Sequence, residues 1–444
     1  MTTWAGKWGV VLAGCGLWLG GDAAAARAEE APAAQAVAVD GWSLAQLLAL
    51  AQENNPDLAI ARAQADIARG RLIQAGLYPN PTFTWESEDV GTPGAGAGAG
   101  NEGPIFGQQF ITAGKRRLAL RAFSAGVAMA DWQAVTRWYD ILTRVRLAYY
   151  DLATAEREVL THEEIVRIAE QALDAAQKLL KAGTGTRPDV LRAQVELAEH
   201  RSRRAVARQR RIAAWRMLAV TVGMNNLDAR PLEENLEAPA PGYEWEGTLA
   251  QVLQRSSEVQ SAQSAVLQAE QLLLRAKAER VPDVHVTVRP LYSFPEKQTE
   301  VTATVGVALP IFDRNQGNIA AAHAELGRTL AESRGVELRL TDRLAAAYER
   351  YQSARQLVGF YEGDPKDKDN RGILRNAQDS LELIRKGYEA GDAKYDFTAV
   401  LQAQRIWAQA RLDYVRALGQ LWKAVSEIRG LVQDDDGPMS RPCH

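Results

Sequence analysis

Two hydrophobic periodicities take turns along the chain. Val284, Val286 and Val288 alternate with His285, Thr287 and Arg289, and Val301, Ala303, Val305, Val307 and Leu309 alternate with Thr302, Thr304 and Gly306. Phe83 and Trp85 likewise alternate with Thr82, Thr84 and Glu86. A period of two sends neighbouring side chains to opposite faces of a strand. Segments of about 8 to 10 residues with one apolar and one polar face have the length and pattern of strands that cross a bilayer at a tilt. The pattern predicts strand pairs over 82–111 and 283–310, joined by the Gly- and Ala-rich loop Gly91–Gly103 and by Tyr292–Glu300. The stretch Ile105–Ile111 alternates poorly.

The other period is helical. From Lys115 to Lys181 there is no proline and one interior glycine, Gly126. Leu120, Phe123, Val127, Ala130 and Ala134 recur at steps of three and four, as do Ile141, Val145, Ala148, Leu152, Ala155 and Val159. Such spacing marks a coiled-coil seam, on a helix on the order of 100 Å long at about 1.5 Å per residue. The chain then reverses at Ala182–Arg187, with Pro188 suited to the first turn of a return helix. A second long helix, Asn318 to Lys386, reverses at Gly387–Tyr395. The sequence Glu362–Asp369 contains Gly363 and Pro365 and predicts a break in that helix.

The two periodicities occur in the same order twice. Leu44-Ala45-Gln46-Leu47-Leu48 is echoed by Leu249-Ala250-Gln251-Val252-Leu253, each opening a helical stretch that ends at a proline, Pro79 or Pro282. This predicts repeat 1 over 44–230, with a hairpin at 115–222. A connector follows at 231–247, then repeat 2 over 248–431, with a hairpin at 316–431, and a tail at 432–444. Amphipathic hairpins belong more often to soluble sandwiches, but here each is single and flanked by very long helices. Four strands cannot close a barrel, and lipid forbids open strand edges. The strands are therefore expected to close with those of other copies.

Composition narrows the function. The 444 residues are 46% hydrophobic and 24% charged, with a net charge of −3, which gives no basic surface for nucleic acid. Two cysteines make no disulfide framework, and scattered histidines and methionines make no metal cluster, so no cofactor is expected. No phosphate loop, zinc-protease motif or nucleophile elbow occurs, and the chain does not read as an enzyme. His162 and His323 fall on helical faces as surface or packing residues, and His285 on the polar face of its strand. Near the start, Lys7, the apolar Trp8–Leu19 and Ala26-Arg27-Ala28 form an export signal over 1–28, followed by a flexible 29–43. Leu12-Ala13-Gly14-Cys15 offers the alternative of lipidation at Cys15; the apolar run past Cys15 favours cleavage after Ala28.

Several motifs carry a family resemblance. They are Asn54-Asn55-Pro56-Asp57-Leu58, Phe110–Arg117 (FITAGKRR) and Leu309–Gly317 (LPIFDRNQG), with Gly183–Gln194 and Gly391–Gln404 at the two helical turns. In order and duplication they resemble the TolC-like outer-membrane efflux proteins, in the branch serving heavy-metal pumps of the resistance–nodulation–division (RND) type. The resemblance implies a mainly α fold with a small β part. Three chains would form a homotrimer, each giving four strands to one twelve-stranded barrel in outer-membrane lipid, above a tunnel of coiled-coil helices. A periplasmic adaptor and an inner-membrane RND pump would dock at the tip turns, Gly183, Thr184 and Gly391. The family's gate pairs an Asp with a Tyr, positions held here by Asp189 and Tyr388. Its arginine is replaced by Ala393 with Lys394 beside it. Its acidic ring falls on Ala399 and Gln402, so Asp392 and Asp396 stand as substitutes on a turn two residues longer than its counterpart. A periplasmic adaptor and an extracellular coiled-coil protein are the alternatives, disfavoured by two hairpins, four strands and the duplication.

Overall fold

The computed structural model describes residues 41–88, 100–233, 235–294, 296–364, 371–390, 392 and 394–434. The export signal, Cys15, nearly all of 29–43, most of the Gly91–Gly103 loop, Pro365–Asp369, Gly391, Ala393 and the end of the tail lie outside the described residues.

Repeat 1 runs α1 (Leu44–Asn54), α2 (Pro56–Ala75), β1 (Thr82–Glu88), β2 (Asn101–Phe110), α3 (Lys115–Lys181) and α4 (Arg187–Val222). Repeat 2 runs α5 (Trp245–Arg255), α6 (Ser257–Ala278), β3 (Val284–Ser293), β4 (Gln298–Val307), α7 (Gln316–Glu362), α8 (Gly372–Glu389) and α9 (Phe397–Val432). Local chemistry sets the starts. Ser43 and Gln46 form a capping box on α1, Asn55 caps α2 ahead of Pro56, and Ser256 caps α6. The long helices α3 and α7 both leave the sheet through a left-handed residue, Gly114 and Asn315.

The break expected in the second long helix falls at Glu362, where α7 ends. A side chain at Gly372 would lie 2.5 Å from the Glu362 carbonyl carbon, so the ends of α7 and α8 meet again after the inserted residues. The 47 residues of α7 and 18 of α8 thus span nearly the same length as the 67 residues of α3. The insertion adds to the strut without shortening it.

Short helices lengthen the return helices end to end. The Asn55 amide Nδ2 donates to the Thr221 carbonyl at 2.9 Å, seating α2 on the end of α4. Between them Gly223 has φ +93°, and a Cβ there would meet Asn54 O at 2.7 Å, so only glycine fits the joint. In repeat 2 the Ser257 N–H donates to Gln433 Oε1 at 3.0 Å and Gln433 Nε2 donates to Ser257 Oγ at 2.9 Å, seating α6 on α9. Each repeat therefore supplies one long helix and one spliced helix.

The main core sits at mid-height, where Tyr149, Leu152, Leu218, Leu340, Leu344, Tyr351 and Ile428 are almost fully buried. The connector and the residues just before it run along this waist, and their carbonyls find aromatic donors. Trp42 Nε1 donates to Asp228 O at 2.9 Å, Trp422 Nε1 to Leu236 O at 2.8 Å and Tyr351 OH to Pro241 O at 2.8 Å. Irregular backbone needs such partners to be covered without loss.

The strands form one antiparallel sheet ordered β1-β2-β3-β4. Its strands are shifted from the bounds that the alternation predicted: β2 begins inside the expected loop at Asn101, β3 continues to Ser293, and β4 starts at Gln298 but ends at Val307, before Leu309. The poor pattern in β2 has a cause. The β2–β3 register holds at Asn101↔Ser293 and Glu102↔Tyr292, then resumes at Phe106↔Val288, leaving out the stretch with Pro104 and Pro290. Proline has no N–H for the ladder. Among the described residues no helix is long and apolar enough to cross a membrane.

Candidate functional site

Register sorts the sheet into two faces. Phe83 lies opposite Phe106, Phe106 opposite Val288, and Val286 opposite Val305, placing these side chains on one face. That face is open: Phe83, Trp85, Phe106, Val301 and Val305 are each more than half exposed. The other face carries Thr82, Thr84, Glu86, His285, Thr287, Arg289, Thr302 and Thr304, as the alternation predicted. On it, Arg289 Nη1 reaches across β2 to Glu86 Oε2 at 2.9 Å and Glu88 Oε1 at 3.1 Å. The outer edges of β1 and β4 have no partner strand among the described residues. A bare apolar face with two open ladders suits lipid and further strands, and suits water poorly.

At the far end of the helices the two hairpins meet. Ala176 of α3, Ala193 of α4 and Phe397 and Leu401 of α9 form a small core joined by Tyr388 of α8. The first turn, residues 182–186, folds back on Leu179: its carbonyl accepts from Thr184 N at 3.1 Å and Gly185 N at 2.9 Å, while Gly183 N donates to Leu180 O. The second turn, 390–396, is two residues longer. Its two described acids serve the turn. Asp396 caps α9 by accepting from Ala399 N at 2.7 Å, and Asp392 Oδ1 accepts from Lys394 N at 3.0 Å. Lys394 itself is exposed.

Asp189 stands in the first turn of α4, where Thr186 is the cap. The Thr186 hydroxyl donates to Asp189 Oδ2 at 2.6 Å and accepts from Asp189 N at 3.4 Å. Tyr388 packs its ring on Phe397 with centroids 5.6 Å apart. Its hydroxyl is buried without a hydrogen-bond partner. Burial, and then the nearby Asp189 carboxylate, push that hydroxyl's pKa up. The structure thus brings Asp189 and Tyr388 near each other without a hydrogen bond between them. Two polar contacts span the hairpins close by, Arg192 Nη1 to Thr398 Oγ1 at 3.4 Å and Arg385 Nη1 to Gln171 Oε1 at 3.3 Å.

Sequence reasoning passed over a buried polar cluster higher up. Glu158 and His162 on α3, and Glu196 and His200 on α4, are all less than a tenth exposed. The signal was present, since both pairs share the spacing Glu-x-x-x-His, which puts the two side chains on one helical face. His162 is therefore buried rather than on the surface. Among the described residues no group of three or more His, Cys, Asp or Glu side chains is placed to hold a metal ion.

Comparison with known proteins gives this geometry a context. The sequence profile of the family described as "Outer membrane efflux protein" matches residues 47–224 and 248–432. The chain is 27% identical over 396 residues to the cobalt-zinc-cadmium resistance protein CzcC of Cupriavidus metallidurans, covering 87% of this chain and 88% of that one. In fold it is similar to the outer-membrane channel OprN, with a TM-score of 0.73 at 18% identity over 88% of this chain and 89% of that one. It is equally similar to CusC, with a TM-score of 0.73 at 17% identity over 88% and 91% of the two chains.

Proposed function

Because this chain belongs to the outer membrane efflux protein family, we propose that it is the outer-membrane channel of a tripartite efflux system, a passive duct that exports heavy-metal cations. The observation that carries this reading is the sheet, with its bare apolar face and its two unpartnered edges in a protein otherwise built of long struts. Four strands per chain close when three chains share one barrel of twelve, since open edges are not tolerated in lipid. A homotrimer in outer-membrane lipid then carries its struts down into the periplasm. The family is one of channels and not of enzymes, and the motive force comes from a partner.

The docking end is the pair of hairpin tips, Gly183 and Thr184 in one and Gly391 in the other, where a periplasmic adaptor and an inner-membrane RND pump engage. The gate lies beside them. Tyr388 serves it through its ring, which fills the junction of four helices, and Asp189 by fixing the start of α4. Lys394, Asp392 and Asp396 shape the longer turn that faces this junction. Likeness to a cobalt-zinc-cadmium resistance protein over most of both chains supports metal cations as cargo. Deleting the gene and measuring tolerance to zinc, cobalt, cadmium, copper and an antibiotic panel tests this. Lost metal tolerance is the expected result. Unchanged metal tolerance with lost drug tolerance overturns the choice of cargo, and unchanged tolerance to everything overturns the efflux role.

A further inference from the structure

Well above the tips, the seam between the hairpins holds buried charge. Glu158 and His162 come from α3, and Glu196 and His200 from the antiparallel α4. The two carboxylates take their partners from the other hairpin: Arg416 Nε donates to Glu158 Oε1 at 2.9 Å, and Arg405 pairs with Glu196. These pairs tie α9 to α3 and to α4, where the tip residues Asp189 and Tyr388 make no such bond. The carboxylates are buried, while Arg405 is about two-thirds exposed and Arg416 nearly half, capping them from outside. The imidazoles are less well served. His162 Nδ1 is buried without a partner, and His200 Nε2 lies 3.5 Å from Glu196 Oε2, a carboxylate already taken by Arg405. A cavity of about 720 Å³ opens onto the cluster, so water and protons can reach it.

We propose that Glu196–Arg405 and Glu158–Arg416 are the latch holding the two hairpins of this channel together, and that proton uptake by His162 and His200 releases it. The proposal rests on the channel reading above and deepens it, naming the ties above the tip gate that hold the hairpins and the signal that releases them.

The groups that face the histidines fix the direction. His162 meets Glu158 on its own helix, His200 and Arg203 on α4 and Arg416 on α9. His200 meets Glu196, Glu199 and Arg203 on α4, with Arg405 and Asp413 of α9 and Tyr361 of α7 around the same cavity. The residue α8 supplies, Ile373, is apolar. Burial is the largest influence on both imidazoles and holds both below their ordinary 6.5; Glu158 opposes it at His162 and Glu199 at His200, while the surrounding arginines add to it. A latched state whose histidines resist protonation binds fewer protons than an unlatched one. Its stability is complete above the ordinary histidine range and is lost as pH falls below it. A protonated His200 also competes with Arg405 for Glu196, so the proton attacks the bond that joins the hairpins.

The test has two readouts on the full-length protein. In planar bilayers the wild-type channel is expected to conduct more at pH 5 than at pH 7.5. Arg405→Gln, which strands the buried Glu196 carboxylate, should raise open probability at pH 7.5 by about tenfold or more, and Glu196→Gln, which leaves a solvated arginine, should raise it less. His162→Gln with His200→Gln should flatten the pH profile, which a merely structural role would not do. Conductance independent of both pH and Glu196→Gln overturns the latch. Independently of conduction, nitroxide labels on cysteines at Gln194 of α4 and Gln402 of α9, with Cys443 replaced, should move apart on acidification and stay together in the double histidine variant. An unchanged distance distribution overturns the latch even if no pore is recorded, whereas absence of any pore alongside a pH-dependent distance counts against the channel reading alone.

Discussion

The Asn55 side chain bridges two helices that are far apart in sequence: Nδ2 donates to the Thr221 carbonyl at 2.9 Å while Oδ1 accepts from Asp57 N at 2.9 Å. One amide therefore caps α2 and satisfies an end carbonyl of α4, turning two helices into one strut. Asn55→Ala removes both bonds and is expected to cost about 1–2 kcal/mol, an N-cap plus a hydrogen bond. Asn55→Asp keeps the cap and loses the donor, so it should fall between the two. Thermal unfolding followed by helical circular dichroism in detergent checks the order, wild type above Asp above Ala. Asn55→Ala equal to wild type would show the splice to be incidental.

Face assignment in the sheet gives a sharper contrast. Val305 lies on the apolar face and is 69% exposed, while its neighbour Thr304 lies on the polar one. Val305→Arg is expected to block membrane assembly, because arginine on the lipid face costs about 2–4 kcal/mol near mid-bilayer. Thr304→Arg should assemble normally. Heat-resistant oligomers in outer-membrane fractions report both. The opposite order would mean that the faces are reversed, and equal assembly that the sheet is not in lipid.

That contrast could be drawn from residue types alone, and this marks how far the sequence reaches. Alternation in 284–288 and 301–307 placed β3 and β4, and the proline-free 115–181 coincides with α3, because period and breakers are local properties. The start of β2 at Asn101 was not legible, since Gly103, Pro104 and Gly107 disguise a strand that is held by partners on both sides. The splice at Asn55 was visible only as a motif, because its partner Thr221 is more than 160 residues away. Asp396 read as a candidate gate acid, yet its carboxylate caps α9. A capping acid and a gating acid look alike until the backbone around them is known. The His162 and His200 pair needed the hairpin's register to bring two ordinary i, i+4 pairs together.

At the tip, the missing hydroxyl partner of Tyr388 separates packing from hydrogen bonding. Tyr388→Phe keeps the ring on Phe397 and removes a buried polar atom that has no partner, so stability should be unchanged or higher by up to about 1 kcal/mol. Tyr388→Ala empties the junction and should cost about 3 kcal/mol locally. Asp189→Ala frays the start of α4 by about 1 kcal/mol. Single-channel conductance is therefore expected to rise for Tyr388→Ala and Asp189→Ala and to stay at the wild-type level for Tyr388→Phe. Opening by Tyr388→Phe would show that the hydroxyl itself bars the tunnel.

Asp140 offers a pH dependence of opposite sign to that of the histidines. It faces a groove between α2, α3, α6 and α7, near Arg137, Arg144, Glu258 and Arg343. Burial raises its carboxyl above the ordinary 3.8 despite the nearby arginines. The folded chain then holds a proton that the unfolded chain has already released. Stability from this group is complete below the ordinary carboxylate range and is lost as pH rises through the raised value. At neutral pH the half-buried Asp140 is a net burden. Asp140→Asn should thus stabilise the protein at pH 7, by less than about 1 kcal/mol because the site is partly open to solvent, and the gain should vanish near pH 4. Melting temperatures of the two proteins between pH 4 and 8 decide it. A constant difference across that range, or a loss at pH 7, would mean that the arginines around Asp140 draw more from its charge than burial takes away.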